Sequence, residues 1–130
     1  MEYVKSFRDL EAYKLARRLS LAIYESTKRF PKDETYSLID QIRRSSRSIG
    51  AQIAESWAKR GYEKHFVSKL TDADGELQET EHWLETACDC GYLTKDETTR
   101  ILEDYSKLGK MVNSMMGKSG SFCNKKQACP

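Results

Sequence analysis

Turn residues are scarce in this sequence. Its 130 residues include 2 prolines and 7 glycines, and both prolines, Pro31 and Pro130, lie outside the long middle of the chain. A sandwich or barrel of short strands would need more of them at its turns. Long apolar runs are missing too: nothing approaches the roughly 18 residues of a membrane span, and the first ten residues mix Glu2, Lys5, Arg8 and Asp9 where a signal peptide would be apolar. The expectation is a cytoplasmic protein with no membrane partner. The four cysteines, Cys88, Cys90, Cys123 and Cys129, fall late in the chain, and their spacing matches no zinc site. Reduced thiols and no bound metal are expected.

Histidine is nearly absent, which weighs against metal and acid–base chemistry. A di-metal centre in a helical bundle needs two Glu-x-x-His motifs, and only Glu79 to His82 has that spacing; the other histidine, His65, is preceded three residues earlier by Tyr62. No glycine-rich phosphate loop occurs, and no serine or cysteine sits in a context that would activate it. The sequence therefore suggests neither an enzyme nor a cofactor.

What the chain has is charge and rhythm. Charged residues make up 32% and apolar ones 38%, which suits narrow apolar stripes on helices whose other faces are solvated. The net charge is only +2, but it is unevenly placed: 15 Lys/Arg against 9 Asp/Glu up to Lys69, then 7 against 11 from Leu70 onward. Four segments carry alternating spacings of three and four residues, the seam of helices packed nearly antiparallel. The first runs Tyr13, Ala16, Ser20, Ile23, Thr27 and Phe30, widened by Ala12, Leu15, Leu19 and Ala22 and stopped by Pro31. The second runs Ile39, Ile42, Ser46, Ile49, Ile53 and Ser56, from a start near Asp33 to about Gly61, and is expected to be the longest. The third runs Phe66, Leu70, Ala73, Leu77, Thr80, Leu84 and Ala87, with Gly91 as its stop. Thr94-Lys95-Asp96-Glu97 is a capping box that opens the fourth, which continues through Thr98, Ile101, Tyr105, Leu108, Val112 and Met115.

Short connections between these segments imply an all-α, antiparallel up-down-up-down four-helix bundle over residues 1–116, with 117–130 as a flexible C-terminal tail. The second helix carries small residues on several faces, so neighbouring backbones can approach it closely. Arg44, Ser48 and Gln52 form a polar ridge on it, read as structural, with Arg44 meeting Glu79 of the third helix or Glu55 of a neighbouring chain. Arg43, Arg47, Lys59, Arg60, Lys64 and Lys69 form a basic stripe suited to phosphates, although most such runs are solvated faces. Trp57, Tyr62, Trp83 and Tyr92 lie near helix ends or off the seam, where they either cap the bundle or line a subunit interface.

These residues resemble a known family, the small four-helix-bundle proteins encoded in intervening sequences of bacterial 23S ribosomal RNA genes. The resemblance spans roughly Phe7 to Met116. It rests on Phe30-Pro31-Lys32-Asp33-Glu34, Leu38, Gln41, Arg43-Arg44, Ser48-Ile49, Ile53-Ala54-Glu55, Gly75 and Glu79. Gln52, Ser56 and Glu76 depart from the pattern, standing for Asn, Gly and Ser. The resemblance implies a ring-forming homo-oligomer, often a pentamer, without an established enzymatic role. A similar bundle serves diversity-generating retroelements as an accessory protein that engages nucleic acid and reverse transcriptase, an analogy of fold. The expected function is a non-enzymatic homo-oligomeric scaffold with RNA or DNA as partner; the alternative is a protein-interaction module without nucleic-acid affinity.

Overall fold

The computed structural model describes residues 4–123. Four long helices, α1 (Glu11–Thr27), α2 (Leu38–Ala58), α3 (Glu63–Asp89) and α4 (Lys95–Gly117), are followed by a single helical turn, α5 (Ser119–Phe122). No strand occurs among the described residues, and no described helix is long and apolar enough to cross a membrane. Each long helix packs on two neighbours, α1 and α3 each lying against α2 and α4. Contacts fix the directions. Arg43 reaches Thr27 at one end of the α1–α2 pair, while Gly50 lies opposite Tyr13 and Ala16 further along. Ser45 meets Thr80 and Glu55 meets Lys69 between α2 and α3, and Leu77 lies against Gly109 and Thr71 against Met116 between α3 and α4. Consecutive helices therefore run antiparallel, giving the up-down-up-down bundle.

The seams form the core. Every seam position expected on α2 and α3 is buried, as are Thr98, Tyr105, Leu108, Val112 and Met115 on α4; Ile101 is half-buried. Full burial of each large apolar side chain removes enough surface from water to favour folding by about 1.5–3 kcal/mol. On α1 the stripe differs. Its buried residues are Ala12, Ala16, Leu19, Ile23 and Thr27, whereas Tyr13 and Ser20 are half-buried and Ala22 is exposed.

The helix ends explain the remaining differences. The first helix stops at Thr27, three residues before Phe30, because Pro31 forces the chain out of helical geometry and the last amides fall back on carbonyls three residues behind. Lys32–Glu34 form a 3-10 turn, so α2 begins at Leu38, not near Asp33, and α3, with 27 residues, is the longest helix. Glu34 organises this connection: Oε1 accepts from the Leu38 amide at 3.2 Å and Oε2 from the Tyr92 hydroxyl at 2.8 Å. Gly91, at φ +79°, ends the third helix, with the Tyr92 amide donating to the Ala87 carbonyl at 2.9 Å. The capping box opens α4: the Glu97 amide donates to Thr94 Oγ1 at 3.0 Å, and the Thr94 amide to Glu97 Oε1 at 2.9 Å.

A boundary at residue 116 is too early. The fourth helix includes Gly117, and the turn beyond it packs on the bundle: Ser119 and Cys123 are buried, Phe122 stacks on Phe66 with centroids 5.6 Å apart, and Ser119 Oγ donates to Glu63 Oε2 at 2.5 Å. The apolar Phe122 and Cys123 were hidden in a polar stretch whose composition reads as linker. The rest of the expected tail lies outside the described residues.

Candidate functional site

The basic stripe expected on α2 and the start of α3 is divided. Arg43 is held inward: its Nε donates to Thr27 Oγ1 at 2.8 Å, an Nη donates to the Tyr24 carbonyl at 3.3 Å, and its guanidinium lies 4.6 Å from the Tyr24 ring centre. Arg60 sits over Trp57, its guanidinium carbon 3.5 Å from the ring centre, and Nε donates to the Trp57 carbonyl at 2.7 Å. Lys69 is paired with Glu55 at 3.0 Å. Arg47, Lys59 and Lys64 remain exposed. The stripe is thus three solvated cations and three that serve the packing of the bundle.

A different basic surface lies between α1 and α2. The stripe Tyr13, Arg17, Ser20 and Tyr24 on α1, at i, i+4, i+7 and i+11, faces Arg43, Arg47, Gly50 and Ala54 on α2 at the same spacing. Between them runs an open trough. One end, of about 480 Å³, is lined by Arg17, Arg18, Arg47, Leu21 and Tyr24. The other, of about 340 Å³, shares Arg17, Ser20 and Arg47 and continues to Phe7, Tyr13, Ala51 and Ala54. Neither lining includes a carboxylate.

Small residues keep this trough open. A Cβ on Gly50 would stand 3.8 Å from the Tyr13 ring and 3.9 Å from Ala16 Cβ, ordinary contact distances, so the glycine leaves floor space a larger residue would fill. The aromatic rings are surrounded by cations. Around Tyr24 stand Lys28 at 4.8 Å, Arg43 at 4.6 Å and Arg47 at 5.7 Å from the ring centre; Arg8 lies over Phe7 at 4.4 Å and Arg17 over Tyr13 at 5.9 Å. Phe7 reaches the trough because Phe7–Asp9 form a capped 3-10 turn, with the Arg8 amide donating to Ser6 Oγ, and its ring meets Tyr13 edge-on at 4.8 Å.

Sequence reasoning missed Arg17, Arg18 and Tyr24. The signal is present as two stripes of equal spacing on consecutive helices, but the seam spacing places Tyr13 and Ser20 in the core. Diagonal to α1 and beside α2, α3 is acidic over most of its length: from Leu70 to Thr94 there are seven carboxylates and no lysine or arginine. Burial, then Glu85 and Asp74, holds Glu81 on that helix above the usual carboxylate range.

The polar ridge takes another form. Arg44 is exposed and pairs with Asp40, one helical turn earlier, at 3.1 Å, so the expected Arg44–Glu79 pair does not form; the i, i+4 partner is within easier reach. Glu79 instead accepts from Trp83 Nε1 at 3.2 Å, and Glu55 takes Lys69. Ser48 and Gln52 are half-buried, and Gln52 Oε1 is enclosed without a hydrogen-bond partner. Of the four off-seam aromatics, Tyr92 is half-buried at the α3–α4 connection, packed on Phe30 at 5.3 Å and bonded to Glu34. Trp57 and Trp83 are half-buried, whereas Tyr62 is 60% exposed. Among the described residues no cluster of three or more His, Cys, Asp or Glu side chains could hold a metal ion. Cys129 lies outside the described residues.

An antiparallel four-helix bundle with a cationic trough between its first two helices is the class of protein defined by this geometry. The chain belongs to the family of 23S rRNA-intervening sequence proteins, whose model it matches over residues 8–114. Among solved structures it is similar to a protein of unknown function from the S23 ribosomal protein family of Bacteroides thetaiotaomicron. Their identity is 27%, the match covers 81% of this chain and 97% of that one, and the TM-score is 0.73. Comparison with curated proteins finds no match.

Proposed function

We propose that this chain is a non-enzymatic, homo-oligomeric scaffold that binds RNA or DNA, and that phosphates are taken by the α1–α2 trough. The observation that carries this reading is the convergence of Arg17, Arg18 and Arg47 on one open trough whose lining has no carboxylate. Guanidinium groups pair with phosphate through two parallel hydrogen bonds, and clustering them without opposing acids leaves their charge available to a polyanion. Exposed Lys59 and Lys64 extend the field at the α2–α3 corner.

Self-association is supported by aromatic side chains left in water. Tyr36 is 95% exposed and Tyr62 is 60% exposed, both away from the trough lining. A ring, for example a pentamer, would repeat the trough once per subunit and turn modest affinity into avidity. Filter binding of RNA and of duplex DNA across a salt series tests the nucleic-acid reading. Binding is expected to fall steeply with salt, with a slope near −0.9 per duplex phosphate neutralised or about −0.7 for single strands. It should be lost when Arg17, Arg18 and Arg47 become Glu. Absence of binding at low salt, or binding indifferent to that triple change, refutes it. Light scattering coupled to size exclusion tests the assembly, and a 15.0 kDa species at micromolar concentration would overturn it.

A further inference from the structure

The trough is not uniformly basic, and its gradient carries more than charge. Arg17, Arg18 and Arg47 crowd one end, while the other end is floored by Ala16 and Gly50 and walled by the half-buried rings of Phe7 and Tyr13 with Ala51 and Ala54. Arg17, Ser20 and Arg47 line both ends, so the cationic and aromatic parts adjoin. The aromatic end adds mostly apolar surface, with Arg8 4.4 Å from the Phe7 ring centre as its one added cation, and a polyanion recognised by charge alone would have little use for those rings.

We propose that the α1–α2 trough binds single-stranded nucleic acid, with backbone phosphates on Arg17, Arg18 and Arg47 and an unpaired base against Phe7 and Tyr13. This rests on the nucleic-acid reading above and specifies its ligand. In a duplex the base faces are stacked inside the helix and only phosphates, sugars and groove edges are presented. An unpaired base exposes its face, and stacking on an aromatic side chain is sequence-tolerant because every base has a π-face. The aromatic end, at about 340 Å³, lies within the size range of small-ligand pockets. Ser20, at the junction, donates its hydroxyl to the Arg17 carbonyl at 3.0 Å on the same helix, which leaves its oxygen as an acceptor.

Fluorescence anisotropy with the full-length chain decides this, using three probes of matched charge: a labelled single-stranded oligouridylate, a labelled duplex, and polyphosphate as a base-free competitor. The single strand is expected to bind about tenfold tighter than the duplex. Phe7→Ala and Tyr13→Ala should each weaken the single strand by about tenfold, the size of one lost base stack, while leaving duplex binding and polyphosphate competition unchanged. Tyr13→Ala removes a half-buried ring and could loosen the bundle, so Ala51→Trp provides a second route: Ala51 is exposed, and a tryptophan there blocks the aromatic end while every native charge stays. It should reproduce the selective loss. Equal affinity for single strand and duplex, or Phe7, Tyr13 and Ala51 variants that affect both ligands alike, overturns the base-binding inference and leaves phosphate binding intact. Absence of all binding, or indifference to Arg17→Glu with Arg47→Glu, overturns the nucleic-acid reading itself.

Discussion

Arg43 closes on Tyr24: its guanidinium sits 4.6 Å from the ring centre and an Nη donates to the carbonyl of the same residue at 3.3 Å. With Nε on the buried Thr27, this one side chain ties α2 to the last turn of α1. Arg43 is therefore expected to matter for stability more than for ligand binding. Arg43→Ala should cost about 1.5–3 kcal/mol in urea unfolding, the worth of charge-assisted hydrogen bonds. Arg43→Lys should recover only part, since an ammonium cannot reach Thr27 and lie flat on the ring together. Lys59→Ala and Lys64→Ala, both solvated, should change stability by less than about 0.5 kcal/mol.

Ser45 and Thr80 form a polar contact inside the α2–α3 interface, their hydroxyl oxygens 2.8 Å apart and both residues buried. Thr80→Val alone is expected to cost about 1–3 kcal/mol because it strips a partner from a buried hydroxyl. Thr80→Val combined with Ser45→Ala should cost less than the two single changes added, and a double-mutant cycle by chemical unfolding measures the coupling.

The start of α4 should respond to both substitution and acid. Thr94→Ala removes the cap and should cost about 1 kcal/mol. The Thr94 amide, then Arg29, whose guanidinium lies 3.0 Å away, hold the Glu97 carboxyl below the usual range. Its contribution is present above the ordinary glutamate value of about 4.3 and is lost as pH falls through the depressed folded value. Melting curves of wild type and Glu97→Gln should differ at neutral pH and converge below about pH 4.

Glu81 behaves in the opposite sense. Burial raises its carboxyl pKa, so the folded state keeps a proton that the unfolded chain has released, and stability falls as pH rises from the ordinary glutamate value through the raised one. Glu81→Gln is expected to raise Tm at neutral pH, with the gain vanishing in acid. A lower Tm at neutral pH would show that the carboxylate is favourably paired in the native state.

Phe122 covers Phe66 at the open end of the bundle, stacked at 5.6 Å. Phe122→Ala should lower stability by about 1–2 kcal/mol, below the 3–5 kcal/mol of a fully buried ring because Phe122 is half-buried. Thermal unfolding measures it; an unchanged Tm would mean the final turn contributes nothing to the core.

Seam spacing was legible where the apolar residues keep a single register. On α3 the buried residues are the expected seam and nothing else, and on α2 every expected position is buried, with Leu38, Ser45 and Gly50 buried beside them. On α1 the same rhythm fits two neighbouring stripes, Ala12–Ala16–Leu19–Ile23 and Tyr13–Arg17–Ser20–Tyr24, and spacing alone does not say which faces inward. The trough was invisible for that reason. Arg43 and Arg60 were misplaced for a related one: a long cationic side chain counts as surface in a sequence, yet its alkyl stem and flat head can lie across an aromatic ring. The Arg44–Asp40 pair shows the local partner winning over the distant one.

The separation of charge between the trough and α3 also bears on motion before contact. With three arginines lining the trough and eight carboxylates against two lysines on α3, the helix diagonal to α1, the nearly neutral molecule has its charge unevenly placed across its short axis and so an electric moment. In the field of a polyanion such a moment exerts a torque, turning the arginines forward and the carboxylates away during approach. Productive collisions would then be enriched at low ionic strength and lose that bias once the screening length, about 8 Å at physiological salt, becomes shorter than the bundle is wide. Encounter rate and final affinity would thus respond to salt through separate parts of the surface.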